Sequence, residues 1–457
     1  LPNVSAGWSE IKKGKPHPGL IKIKKRPIIV GFGPAGIFAS LTLINRGYKP
    51  IIFERGGKVD ERIKKVNDFW YKGNLDKETN VVFGEGGAGT FSDGKLTTRI
   101  KDFRRSFVLE TFVKAGAPEE ILYINHPHLG TDRLRIIIPL LREHIIKHGA
   151  DIYFNTKVDE LIIDKNKIIG IKAAERIWET DALFWATGMS ARDSYEMILN
   201  KGVTIEPKPF AVGIRVEHLQ SFINKNQFGD MASDPSLGPA EYFLTYTDKQ
   251  RNRGVYSFCM CPGGRIICCS HKENIIALNG MSNFKRDGKY GNSAIVVTVS
   301  PKDFPSSHPL AGIKFQEEIE KKAFSLGGGD FFAPAQYIYD FIFGKETKKD
   351  IKCSYLPGVK PAKIEACFPK EIIDALKDAL FNFDKKIKGF ALNNGIMVGV
   401  ETRTSSPVRI VRDKETFQSI TVTGFFPIGE GSGYAGGIIS SAVDGIKAAE
   451  RIIPKKQ

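Results

Sequence analysis

Pro27-Ile28-Ile29-Val30-Gly31-Phe32-Gly33-Pro34-Ala35-Gly36 carries the strongest fold signal in the sequence. An apolar run, Ile28 to Val30, stops at Gly-x-Gly-x-x-Gly. A helix-compatible run from Ile37 to Ile44 follows, then a turn at Arg46-Gly47-Tyr48. A second apolar run, Ile51-Ile52-Phe53, ends in Glu54. Strand, glycine turn, helix, strand and acid is the order of a dinucleotide-binding βαβ unit. Gly31 permits the tight turn, Gly33 lets backbone approach a pyrophosphate, and Gly36 lets helix and strand pack closely. The helix start offers free N–H groups and the positive end of its dipole to phosphates. Glu54 can accept from both hydroxyls of an adenosine ribose.

The glycine spacing occurs twice more. Gly84-Glu85-Gly86-Gly87-Ala88-Gly89 leads into Thr90-Phe91-Ser92-Asp93-Gly94-Lys95, a poor helix start, and reads as a glycine-rich loop. Gly431-Ser432-Gly433-Tyr434-Ala435-Gly436 follows a strand-like run over 420–423 and 425–428. It opens a helix-like run from Gly437 to Ile452. The sequence thus holds one complete dinucleotide fold and one glycine-opened C-terminal helix.

Outward from these motifs, helical spacing of Leu134, Ile137, Ile138, Leu141 and Ile145 predicts a helix over 131–148. Another is expected near 106–114. Residues 151–155, 158–163 and 168–172 read as strands, and 182–188 as a strand ending in Ala186-Thr187-Gly188. From about Lys208 short strands and Pro/Gly punctuation take over, with helix-prone segments at 315–325 and 370–383. The expected architecture is α/β, a discontinuous Rossmann-like dinucleotide-binding domain (21–206 and 396–457) with an inserted α+β substrate domain (207–395). Residues 1–20 read as an irregular arm. The start at Leu1 rather than Met reads as a processed or shortened chain with an upstream part missing.

The chain has 457 residues, 42% hydrophobic and 26% charged, as in ordinary globular proteins. No apolar run reaches the ~20 residues of a membrane span, and no leader pattern is present. Net charge is +16. Because the lysines are spread rather than blocked, they read as a solvated surface, and nucleic acid is not the expected partner. Six cysteines lie at 259, 261, 268, 269, 353 and 367. Their spacing lacks the paired C-x2-4-C of zinc sites. They read as buried thiols of a reducing, cytoplasmic compartment, and no metal site is expected. Residues 255–258 and 265–267 read as a hairpin turning at Pro262-Gly263-Gly264.

Two features favour FAD over a nicotinamide nucleotide as the resident cofactor. Ala186-Thr187-Gly188 closes a strand on a small turn. Pro427-Ile428-Gly429-Glu430-Gly431 leads into the last helix; both features resemble cofactor contacts of two-domain FAD oxidoreductases, which implies an FAD-binding domain with Glu430, where that family usually has Asp, on the ribityl chain and the helix start on the flavin pyrimidine. The stretch Phe83-Gly84-Glu85-Gly86-Gly87-Ala88-Gly89-Thr90-Phe91-Ser92-Asp93-Gly94-Lys95-Leu96 then narrows the reading. With Pro127-His128-Leu129-Gly130-Thr131-Asp132-Arg133, Glu206-Pro207-Lys208-Pro209-Phe210, residues 256–264 and Glu401-Thr402-Arg403-Thr404-Ser405-Ser406, it resembles a bacterial family of FAD-dependent dehydrogenases. That family commonly carries a further small N-terminal domain. The glycine and acid pattern, with no Cys or His in a flavin-attachment motif, points to non-covalent FAD and hydride transfer at flavin N5, with either transient NAD(P)H or a protein as donor. The resemblance does not set the reaction. It names no substrate beyond a small molecule, taken here as anionic, and leaves the oligomeric state open.

Expected cofactor contacts are Gly31, Gly33, Pro34, Ala35, Gly36, Glu54, Arg55, Gly87, Gly89, Thr90, Val158, Ala186, Thr187, Gly188, Gly429, Glu430, Gly436, Gly437 and Ile438. Catalytic candidates are Asp93 and Lys95 at the end of the glycine loop, His128 before a helix start, and Glu401 with Arg403. Arg403 is either a fork for a substrate carboxylate or the partner of Glu401 in a buried ion pair. A flavin-dependent RNA-modifying enzyme and a flavin-binding sensor without turnover are the alternative functions.

Overall fold

The computed structural model describes residues 15–393 and 395–455, so most of the expected N-terminal arm, residues 1–14, lies outside the described residues. Contacts divide the chain into two units. The first takes the described residues through Lys64, Glu78–Lys208 and the chain from Ser405 on. The second takes Lys65–Lys77 and Pro209–Thr404.

The first unit is built on five short strands: β1 (Ile28–Val30), β2 (Ile51–Phe53), β3 (Asp151–Tyr153), β4 (Leu183–Trp185) and β5 (Phe425–Pro427). They run parallel in the order β3-β2-β1-β4-β5. β1, β2, β4 and β5 are apolar triplets buried on both faces, as an all-parallel sheet requires. β3 is the exception, exposed at both ends because it lies at an edge. The last strand arrives from the far end of the chain, which makes the unit discontinuous, as expected.

Helix α1 (Pro34–Asn45) is buried from Ala35 to Leu43, and its sequence has no polar face to present to water. It packs on α3 (Ile438–Ala449) so closely that a Cβ on Gly445 would lie 2.2 Å from the Ala35 carbonyl oxygen. Helix α2 (Gly130–Lys147) buries the predicted face, Leu134 to Ile145. The strand expected over 420–423 does not form. There Asp413 accepts from the Thr416 N–H at 2.7 Å, and the Ser419 hydroxyl accepts from the N–H groups of Thr421 and Val422. Side-chain oxygens here capture the backbone donors a strand would need.

The second unit centres on a mostly antiparallel sheet. Its central strands are Arg253–Cys268, Tyr290–Val299, Phe210–Leu219, Ile396–Glu401 and Ala333–Tyr337, in that spatial order. Helices Ala311–Gly327 and Lys370–Lys386 belong to the same unit. This is the expected α+β class, with three departures. The hairpin at 262–264 is absent: Arg253–Cys268 is one strand that bends. It pairs with Tyr290–Val299 as far as Gly264 and with Leu278–Met281 from Arg265 on. Gly263, at φ +53°, absorbs the bend. Residues 396–404 lie in this unit rather than with the nucleotide fold, because Ile396–Glu401 pairs with Phe210–Leu219. Residues 65–77 also belong here: the Phe69 ring meets Phe331 edge-on at 4.9 Å, and the Trp70 indole N–H donates to the Cys268 carbonyl at 3.0 Å.

None of the cysteines is in a disulfide, and all are buried except Cys259 and Cys353, which are half-buried. Among the described residues no helix is long and apolar enough to cross a membrane, and no cluster is arranged to hold a metal ion.

Candidate functional site

The carboxyl ends of β1, β2, β4 and β5 all open into segments of glycine, alanine and acid, where ligands of doubly wound sheets bind. After β1, Gly31 sits at φ +103°, and a Cβ there would lie 2.3 Å from the Ala186 carbonyl oxygen. A Cβ on Gly36 would lie 2.0 Å from the Gly31 oxygen. These two glycines are therefore structural, since no side chain fits. Gly33 differs: a Cβ there meets only Gly87, at 3.6 Å. It caps α1 with no side-chain hydrogen bond, and no acidic residue occupies the first turn. Pro34 has no N–H to offer, so Ala35 and Gly36 carry the first donors of that helix.

Glu54 is buried at the end of β2. One carboxylate oxygen accepts from the N–H groups of Gly56 and Gly84, both at 3.0 Å; the other accepts from Phe32 at 2.8 Å. A carboxylate has about four acceptor positions, so the Phe32-bound oxygen keeps one for a further donor. The acid thus joins the β1 turn, its own strand end and the glycine loop. The neighbouring Arg55 is committed to Glu78 and Asp193, at 2.6–3.2 Å, and its fork is not directed at a ligand. Burial opposes its charge, but those hydrogen bonds outweigh burial and raise its pKa. Val158 is a buried strand residue opposite Ala173.

The glycine loop is held from within. Arg62, fully buried, donates to the carbonyls of Asn80 (2.7 Å), Val81 (2.6 Å), Glu85 (2.8 Å) and Gly87 (2.8 Å), and lies 4.7 Å from the Phe91 ring centre. Burial lowers its pKa to about 9. Glu85 accepts from the Val59 N–H at 2.7 Å, and one guanidinium nitrogen of Arg142 donates to both its carboxylate oxygens, at 2.8 and 2.9 Å. Thr90 receives the Thr131 hydroxyl on its carbonyl at 2.6 Å. Gly87 faces Gly33, and a Cβ on Gly89 would touch Ile438 at 3.2 Å. The loop therefore lies against both helix starts.

On the other side, Gly188 and Gly431 are in van der Waals contact: a Cβ on Gly431 would fall 2.6 Å from the Gly188 carbonyl carbon. Tyr195, fully buried, donates to the Gly431 carbonyl at 2.6 Å. The N–H of Gly429 donates to Asp444 at 2.8 Å, and Asp444 is fixed by Arg412. The half-buried Glu430 has its carboxyl pushed up to about 7 by burial, against the pull of the Lys208 charge. Open space surrounds Gly436 and Gly437, and Gly437 caps α3 without a side-chain bond or an acid in the first turn.

The catalytic candidates separate into two groups. Asp93, Lys95 and His128 lie in the first unit, on two paired stretches: Lys95 opposes His128, and Leu96 donates to the Pro127 carbonyl at 2.8 Å. Asp93 is buried, with the Lys95 ammonium 4.0 Å away. Glu401 and Arg403 lie in the second unit, and neither partner is the expected one. Arg403 presents two nitrogens to Glu320, at 3.0 and 3.2 Å, and a third to the His271 ring at 2.9 Å. Glu401 pairs with the fully buried Arg215 at 2.8 Å. Proximity in sequence suggested a pair, but Arg215 on a neighbouring strand and Glu320 on a helix are the partners. The Arg403 fork is thus filled by a protein carboxylate, and the substrate-clamp role is withdrawn.

Residues 209–404 match the family model for the FAD-dependent protein, C-terminal domain-like. An uncharacterised protein of Clostridium beijerinckii is 49% identical over 439 residues, covering 96% of this chain and 82% of its own length. The two belong to one family. Among solved structures, a geranylgeranyl bacteriochlorophyll reductase-like protein of Thermoplasma acidophilum covers 94% of this chain and 78% of its own, at 12% identity and TM-score 0.40. The L-proline dehydrogenase of P. horikoshii covers 94% and 93%, at 12% identity and TM-score 0.35.

Proposed function

We propose that the first unit binds FAD non-covalently and that the protein is a flavin-dependent oxidoreductase acting on a small molecule. The observation that carries this reading is the pair of glycine-capped helices. The starts of α1 and α3 have neither a side-chain cap nor an acid in the first turn, so their N–H groups are left for an anionic ligand. The family model matched over 209–404 supports it.

The residues present fit the group. Ala35, Gly36 and the bare backbone of Gly33 at the start of α1 would hold the pyrophosphate, and the remaining acceptor position of Glu54 the adenosine ribose. Glu430 and the start of α3 would hold the ribityl chain and the flavin pyrimidine. FAD, when bound, supplies hydride transfer at N5. The protein's own part is to orient the ring, through the Arg62-braced loop and the Tyr195-braced turn, and to move a proton. Asp93, Lys95 and His128 are the proposed groups for that. NAD(P)H is proposed as a transient donor. Within this reading the chain is a dehydrogenase of the kind its glycine-loop sequence resembles.

Anaerobic mixing of FAD-loaded protein with NADH, NADPH and fractionated metabolites tests the activity. Bleaching of the flavin absorbance by one donor and its return with an acceptor is expected. A flavin that no donor reduces would make the protein a binder rather than an enzyme.

A further inference from the structure

We infer that Cys259 and Cys261 form a redox-active dithiol in the second unit, able to close into a disulfide by exchange with a small-molecule disulfide. Sequence spacing argues against this, because redox pairs are usually read from Cys-x-x-Cys. The strand geometry changes that reading. Phe258 opposes Ala294 and Cys261 opposes Asn292, so the strand holds one extra residue at this point. Cys259 sits in that bulge with φ at +47°, a left-handed conformation a strand residue rarely adopts. The two sulfurs are brought to 4.0 Å. Closing that gap to a bonded distance of about 2 Å asks for side-chain rotation of two residues in one segment.

The surroundings differ for the two thiols, in the way exchange chemistry uses. Cys259 is half-buried and reachable, whereas Cys261 is fully buried. A guanidinium nitrogen of Arg215 lies 3.4 Å from the Cys261 sulfur, and the Cys261 thiol donates to the Cys259 carbonyl at 3.3 Å. The same arginine is held by Glu401, by Asn292 at 2.8 Å and by the Cys259 carbonyl at 2.6 Å, so its charge is fixed beside the sulfur. Gly280 makes room for it: a Cβ there would lie 1.9 Å from the guanidinium. A fixed cation next to a thiol favours the thiolate, the species that attacks disulfides.

Cys259 loses its proton to solvent and attacks the small disulfide, expelling one thiolate and forming a mixed disulfide. Cys261 loses its proton, its thiolate stabilised by Arg215, and attacks the Cys259 sulfur. The second small thiolate leaves and the internal S–S bond remains. Two protein thiols are oxidised by two electrons and one small disulfide is reduced to two thiols.

The test equilibrates the native protein with glutathione disulfide, quenches by alkylation and maps tryptic peptides. Both cysteines, and no others, fall in the peptide Gly254–Arg265. The expected result is loss of two hydrogens from that peptide and a fall in titratable thiols from six to four. The change should reverse with excess reduced glutathione. Cys261→Ser should instead stop at a glutathionyl adduct on Cys259, and Cys259→Ser should leave the peptide unmodified. Wild-type peptide that stays fully reduced, or that stops at a glutathionyl adduct, overturns the inference. Matching circular dichroism of both variants and wild type keeps the comparison free of misfolding.

Discussion

Gly87 lies face to face with Gly33: a Cβ on Gly87 would stand 3.1 Å from the Gly33 α-carbon. The two bare backbones come from different glycine stretches, one after β1 and one in the loop braced by Arg62. A side chain at either position would crowd the start of α1, beside which a pyrophosphate is expected to run. At Gly33 the apo fold tolerates a small group, because the nearest atom is 3.6 Å from its Cβ position. Gly33→Val should therefore leave thermal unfolding of the flavin-free protein within a few degrees of wild type and abolish FAD retention. Gly36→Ala should instead destabilise the flavin-free protein, since its Cβ would strike the Gly31 carbonyl. Equal loss of stability in both would contradict this division.

Arg62 is the keystone of the loop. Arg62→Met would keep the stem's volume and leave several buried carbonyls without a donor. At roughly 1–3 kcal/mol for each unsatisfied group, the variant should lose on the order of 3 kcal/mol or more in urea unfolding. It should also purify with little flavin. A variant as stable as wild type would show that the carbonyls find other donors.

The β1–α1–β2 fold was legible because each of its parts has a local cause: an apolar triplet, a positive-φ glycine, a close-packed glycine. Arg62 was not. A single arginine in the polar helix Val59–Lys72 reads as solvated, and its acceptors lie 18–25 residues away in a loop. Tyr195 was hidden for the same reason, its acceptor Gly431 being 236 residues distant. Glu401 and Arg403 failed differently. Of their two readings, substrate clamp or mutual buried pair, burial was the part that holds, but the partners Arg215 and Glu320 come from other elements, which sequence proximity does not reveal. The bend at Gly263 was taken for a reversal, because the sequence marks a glycine turn without saying which strands flank it.

Arg403 now has a structural prediction. Arg403→Ala leaves the fully buried Glu320 without its main counter-charge, and should cost about 3–5 kcal/mol of stability. Adding Glu320→Gln to that variant should recover part of the loss. Denaturant midpoints of the four proteins in the cycle measure this; no recovery would mean the two side chains are not coupled.

Glu217 gives a pH dependence with a definite sign. It is buried, accepts from the N–H and hydroxyl of Ser354, and burial pushes its carboxyl up to about 7. The folded state therefore holds this proton where the unfolded chain has lost it. The stabilisation is complete below the unfolded value of 4.5 and is lost as pH rises to about 7. Glu217→Gln cannot titrate. The wild type should lose on the order of 3 kcal/mol relative to that variant between pH 4.5 and above 7. A stability difference that does not change with pH would show Glu217 ionised throughout.

Equilibrium titration of the flavin-free protein with FAD and with FMN separates a dinucleotide site from a mononucleotide one. The nucleotide half of the site, Gly33, the start of α1 and Glu54, has partners only in FAD. The account predicts that FAD binds at one site per chain and that FMN does not displace it. Glu54→Gln should weaken FAD binding, because one ribose acceptor becomes a donor. Equal binding of FMN, or failure of the folded protein to take up FAD, would contradict it.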